Sequence, residues 1–171
     1  MIRLTLEGRS PLRILCLGSH SDDIEIGCGG TVLQIVEQYP DCEFYWVVFS
    51  AIGVRELEAK HASELFADSR LKHTAFRNFQ DGFMPYVGAE VKAVFEQELK
   101  QLSPDLIFTH TSQDAHQDHR LISELTWNTF RNHLILEYEI PKYDGDLGRP
   151  NVFIPLRVEA FERKAKYLMD C

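Results

Sequence analysis

The stretch Arg13-Ile14-Leu15-Cys16-Leu17-Gly18-Ser19-His20-Ser21-Asp22-Asp23 decides how this chain reads. Its first six residues are a short, largely apolar run with Pro11 just before it. That is the pattern of a buried strand bounded by breakers. Gly27, Gly29 and Gly30 follow, and a helical pattern runs from Thr31 to Gln38. An imidazole and two carboxylates therefore sit where a strand feeds a helix, the edge of an open α/β sheet at which ligands bind. Two adjacent acids beside a histidine rarely serve structure alone at such a place. They suit a metal ion with a base beside it. Asp22 or Asp23 taken singly has a simpler use, as a cap on the helix that follows.

A matching cluster lies far down the chain. Leu106-Ile107-Phe108-Thr109 is a second short apolar strand, preceded by Ser103-Pro104-Asp105 and ending at His110. The polar loop after it is Thr111-Ser112-Gln113-Asp114-Ala115-His116-Gln117-Asp118-His119, and Leu121, Ile122, Leu125 and Trp127 begin another helical segment. In a parallel sheet both clusters emerge on the same edge, so they can converge despite their separation in sequence.

His20-Ser21-Asp22-Asp23 with Gly27-Cys28-Gly29-Gly30, and then His116-Gln117-Asp118-His119, resembles the signatures of the PIG-L/LmbE-like zinc N-deacetylases. Arg55-Glu56-Leu57-Glu58 looks like that family's Arg-x-x-Glu helix start, and Gln80-Asp81-Gly82 like its Asp-Gly turn. The resemblance runs from about Arg13 to about Arg120. Ser21 stands where the family usually has proline, and Ile24 where an acid often follows the pair, with Glu25 one place later. Neither departure removes a proposed ligand, although Ser21 lacks the stiffness of proline. The resemblance implies a Rossmann-like three-layer α/β sandwich, its mostly parallel sheet flanked by helices. It implies removal of an acetyl group from an N-acetylglucosamine-type (2-acetamido sugar) conjugate, giving acetate and a free amine. It assigns His20, Asp23 and His119 as Zn2+ ligands and Asp22 as the base.

The chemistry of an amide asks for the same parts. Zinc lowers the pKa of a bound water toward ~7, and a catalytic zinc takes three protein ligands and keeps one position open. His20, Asp23 and His119 supply two nitrogens and an oxygen. Asp22 is left beside the bound water, within whose reach a general base must lie. His116 precedes His119 by three, so the two side chains share a face of a helical or tight-turn backbone. As an imidazolium, His116 stabilises the oxyanion of the tetrahedral intermediate, with Asp118 orienting it and raising its pKa. The leaving amine takes its proton from Asp22 or His116, between which the sequence does not choose. Arg55 is a candidate for holding substrate, with a helix-surface pair to Glu58 as the plainer alternative. His61, His73, His110 and His133 receive structural readings, His110 the least secure because it sits at the site's edge.

At 171 residues the chain reads as a single domain over 1–171, large enough for a real core. Its net charge of −8, with no basic patch, argues against a nucleic-acid partner. No stretch approaches ~20 apolar residues, so no membrane span is expected. The four cysteines, Cys16, Cys28, Cys42 and Cys171, form no Cys-x-x-Cys pair. They suit a reducing cytoplasm rather than a disulfide framework. Cys28, near the metal loop, reads as a packing residue. The glycines at 27, 29 and 30 lack the spacing of a phosphate cradle and read as positions of close approach between helix start, sheet and metal.

Strand-like and helix-like stretches alternate: Glu43–Ser50 β, Val54–Ser69 helix, His73–Phe79 β, Val87–Leu102 helix, His133–Ile140 β. Such alternation implies a parallel sheet covered on both faces. Pro141 to Pro150 is a surface loop and a candidate substrate rim. The helical pattern from Leu156 to Cys171 stops without a cap or breaker, so the chain is expected to be truncated at its C-terminus. The number of subunits stays open, a homo-oligomer included, as does the native metal, with Fe2+ or another divalent ion in place of zinc. Two rivals remain. A non-haem iron oxygenase would use His20, Asp22 and His119 as a facial triad, but those enzymes are typically all-β and Asp23 would have no task. A non-catalytic sugar- or metal-binding module keeps the ligands without the turnover.

Overall fold

The computed structural model describes residue 6 and residues 8–171. Five strands run β1 (Leu12–His20), β2 (Cys42–Ser50), β3 (Leu71–Phe76), β4 (Leu106–His110) and β5 (Leu134–Tyr138). Six α-helices interleave them: α1 (Asp23–Gly27), α2 (Gly29–Gln38), α3 (Val54–Ala67), α4 (Gly88–Gln97), α5 (Gln117–Thr129) and α6 (Val158–Asp170). The strands form one sheet in the order β3-β2-β1-β4-β5, and every pairing between them is parallel. Among the described residues no helix is long and apolar enough to cross a membrane.

The alternation of side chains along a strand builds two cores. Ile14 and Cys16 of β1, Phe44, Trp46 and Val48 of β2, and Leu106 and Phe108 of β4 pack against α1, α2, α3 and α6 through Ile24, Val32, Leu33, Phe66 and Ala160. Leu15, Leu17, Val47, Phe49 and Ile107 face the other way, onto Val91 and Phe95 of α4 and Ile122 and Leu125 of α5. Both faces are thus covered, which is why the strands read as nearly continuous apolar runs.

The order places β1 between β2 and β4, and the chain's progress through the sheet reverses there. This switch point opens a crevice at the carboxyl ends of β1 and β4. His20 ends β1 and His110 ends β4, so the fold delivers both polar clusters to one crevice.

Several element bounds differ from those read in the sequence. The glycine cluster lies inside helices: α1 ends at Gly27, and α2 starts at Gly29 instead of Thr31. The three glycines are close approaches, though not to the metal loop. A Cβ on Gly27 would lie 2.1 Å from the Tyr138 ring, one on Gly29 2.6 Å from Phe66, and one on Gly30 2.5 Å from Leu156. Helix α5 starts at Gln117, four residues before its first apolar position, because its opening turn is entirely polar. The stretch Val87–Leu102 splits into α4 and a 3-10 turn at Leu99–Leu102.

Candidate metal centre

His20 is the last residue of β1 and Asp23 the first of α1. The turn between them closes on itself, since the His20 amide donates to Asp23 Oδ2 at 2.7 Å. His119 comes from the first turn of α5 and is buried. The fold brings these three side chains together. His20 Nδ1 lies 3.1 Å from His119 Nε2, Asp23 Oδ2 lies 3.5 Å from His20 Nδ1, and Asp23 Oδ1 lies 3.5 Å from His119 Nε2. Ligand atoms at about 2.0–2.1 Å from a tetrahedral ion stand about 3.4 Å apart. The three contacts are near that spacing, the two from Asp23 through different oxygens, and the candidate ligand groups among the described residues include His20, His116 and His119, and Asp23, His110 and His119.

The distal nitrogens support the same orientation. His119 Nδ1 is 2.9 Å from Asp114 Oδ2, so that nitrogen carries the proton and Nε2 presents its lone pair. His20 Nε2 lies 3.3 Å from Asp118 Oδ2 and 3.0 Å from Asp81 Oδ1, which leaves His20 Nδ1 for the ion. A carboxylate on the far nitrogen of a ligating histidine fixes its tautomer and raises its basicity. Asp118 is itself fixed, by the Gly82 amide at 2.7 Å and the Met84 amide at 3.2 Å.

These contacts set the charges. Burial would lower the pKa of His20, but its bonds to Asp118 and Asp23 outweigh that and push it up to about 10. Burial opposes ionisation of Asp23, yet the surrounding His110, His20 and His119 rings hold its carboxyl well below the usual range.

Two expected roles change. Asp118 does not turn its carboxylate to His116; it serves His20 and the loop at Gly82. His116 stands just before α5, not within it, and its ring still lies beside that of His119. It caps α5, its Nδ1 accepting from the Asp118 amide at 3.2 Å. Its pKa is lowered rather than raised, by burial first and then by His119 and His20. With Nδ1 used as acceptor, the neutral ring carries its proton on Nε2, which lies 3.8 Å from Asp81 Oδ1. Its ring centroid lies 4.8 Å from that of His20 and 4.6 Å from that of His119.

His110 is a buried residue packed directly against the site. It is wholly buried, stacks on His119 at 3.9 Å between centroids, and lies 3.2 Å from Asp23 Oδ2. Burial lowers its pKa, and the Ser19 amide donates to its Nε2 at 2.9 Å. Asp22 sits exposed at the N-terminus of α1, and its side chain does not cap the helix. Arg55 is exposed in the first turn of α3, after β2, and does not pair with Glu58. Asp114 was not singled out by the sequence. Its signal was present, as an acid in the same short loop as His116 and His119.

A family model described as "PIG-L: GlcNAc-PI de-N-acetylase" matches residues 15–130. Among solved structures, the chain is similar to an N,N'-diacetylchitobiose deacetylase from Pyrococcus horikoshii, at 20% identity over 92% of this chain and 68% of that one, TM-score 0.65. It is similar to a deacetylase of the teicoplanin biosynthesis pathway, solved in complex with teicoplanin, at 11% identity over 92% of this chain and 85% of that one, TM-score 0.68. It is similar also to a 4-carboxy-2-hydroxymuconate hydratase from Pseudomonas putida KT2440, at 16% identity over 91% and 77%, TM-score 0.62. At these identities the likeness is one of fold.

Proposed function

Because the chain belongs to the PIG-L family, we propose that it is a metal-dependent N-deacetylase acting on a 2-acetamido sugar conjugate. The observation that carries this reading is the triangle of His20 Nδ1, His119 Nε2 and Asp23 at the switch point of the sheet. A hydratase shares the fold, so the fold alone does not choose the reaction. The family match and the residues around the triangle favour amide hydrolysis.

In this reading His20, Asp23 and His119 hold the ion. Two nitrogens and an oxygen suit zinc, and Fe2+ among other divalent ions. Bound there, such an ion supplies a water of pKa near ~7 and polarises the amide carbonyl. Asp22, exposed beside the ligand Asp23, takes the proton from the attacking water. His116 donates from Nε2 to the carbonyl oxygen as negative charge gathers on it, and does so as a neutral ring. The proton taken by Asp22 returns from Asp22 to the nitrogen as the C–N bond breaks, so acetate and an amine leave. Asp118 acts through His20, and Asp114 through His119. Arg55, at the rim, meets the sugar or the group attached to it. The described cysteines are free, which suits a cytoplasmic setting.

Acetate release from N-acetylglucosamine conjugates by the zinc-loaded protein tests the proposal. Turnover that disappears on chelation and returns with metal is expected. Full metal loading with no acetate from any such conjugate would favour the binding-module reading.

A further inference from the structure

The loop after β5 carries one lysine that reaches the metal centre from outside. Lys142 Nζ lies 3.0 Å from Asp114 Oδ1, and the other oxygen of that carboxylate lies 2.9 Å from His119 Nδ1. Asp114 is almost wholly buried, with 2% of its surface exposed. The same ammonium lies 2.6 Å from Asp146 Oδ2, and that oxygen accepts from the Ala115 amide at 2.7 Å. Residues 142–146 therefore clasp the histidine loop at two adjacent points, the side chain of Asp114 and the backbone of Ala115.

Resting on the proposed metal site, we propose that Lys142 is a positioning residue: it locks Asp114 against His119 and so ties the loop after β5 to the grip on the ion. A buried carboxylate needs a partner for its charge. Asp114 has three: His119 at Oδ2, and the His116 amide at 2.7 Å together with Lys142 at Oδ1. His119 takes one oxygen and gains its orientation. Lys142 takes the other and holds the carboxylate aimed. Lys142, half-buried in turn, is held charged by Asp146 and Asp114 against burial. Loss of the ammonium leaves Oδ1 with the His116 amide alone, its positive partner gone, and the hold of Asp114 on His119 Nδ1 slackens. Because Asp146 holds both Lys142 and the Ala115 amide, a substrate pressing on this loop would be felt at His119 through the same contacts.

Zinc affinity, measured by competition with a chromophoric chelator, tests this without reference to turnover. Lys142→Met should weaken zinc binding about 10- to 100-fold, the range for outer-shell partners of a metal ligand. Asp114→Asn should do about the same. The double variant should be no worse than Asp114→Asn alone, since residues acting through one contact are not additive. Lys142→Arg should recover most of the affinity, and circular dichroism should show each variant folded. Unchanged affinity in Lys142→Met would overturn the inference, as would losses that simply multiply in the double variant, the mark of general loosening of the loop. Should Lys142→Met fail to fold, Lys142→Gln takes its place in the same cycle. A wild-type protein that bound no zinc would refute the metal site itself, an outcome distinct from either of these.

Discussion

His20 Nδ1 and His119 Nε2 stand 3.1 Å apart although 99 positions separate them in the chain. The approach follows from topology. β1 and β4 are adjacent and parallel, so the turn after one and the loop after the other share a single crevice. Each ring is then set by a carboxylate on its far nitrogen, Asp118 for His20 and Asp114 for His119.

Removal of a ligand should abolish metal binding. His20→Ala, Asp23→Ala and His119→Ala are each expected to lower zinc affinity more than about 100-fold, beyond the range for outer-shell partners. Equilibrium dialysis with metal analysis reads the effect, and a ligand variant that still held one equivalent at micromolar zinc would remove that residue from the set.

Asp22→Asn separates catalysis from binding. A general base contributes about 10²- to 10⁴-fold, so kcat for acetate release should fall by that factor while zinc stoichiometry stays at one. Activity retained with zinc bound would show that another group takes the proton from water.

Metal binding should release a proton. The His20 pKa is raised to about 10 from an ordinary value near 6.5. In the ion-free protein the bonds behind that shift stabilise the fold fully below about pH 6.5 and are lost as pH rises through about 10. Zinc must displace this proton, so affinity should climb with pH between those values, by about tenfold per unit for one proton. Calorimetry at pH 7.5 in buffers of different ionisation enthalpy counts the protons. A count near one is expected, and zero would mean that His20 is already neutral.

Gly27 tests the packing that carries α1. An added Cβ meets the Tyr138 ring at 2.1 Å, and that ring cannot retreat freely because its hydroxyl donates to the Leu17 carbonyl at 2.6 Å. Overpacking of this kind costs about 1–3 kcal/mol, so Gly27→Ala should lower Tm by roughly 2–12 °C. Gly145→Ala, where nothing lies within 4 Å of the new Cβ, serves as the control. Equal melting of the two variants would contradict the account of the close approach.

The strands and the three proposed ligands were legible in the sequence because each rests on a local pattern: an apolar run, then a polar residue at its end. The family signatures carried the pairing of the two clusters. What lay outside that reach was set by contacts between distant segments. Asp114 and Lys142 meet across two loops, and although Asp114 shares its loop with His116 and His119, nothing around Lys142 marks it. Asp118 looked like a partner for His116, two residues away, whereas its carboxylate turns to His20 across the crevice and to the backbone at Gly82 and Met84. His110 read as a strand-end residue, and only the stacking of β4 and α5 puts its ring on His119. The start of α5 was missed because apolar periodicity is silent over Gln117-Asp118-His119-Arg120.

X-ray absorption at the zinc edge, on protein loaded with one equivalent of zinc, tests the central claim most directly. The account predicts a first shell of nitrogen and oxygen at about 2.0–2.2 Å, with the outer scattering of two imidazoles. Sulfur at about 2.3 Å, or a shell without imidazole, would place the ion elsewhere and contradict it.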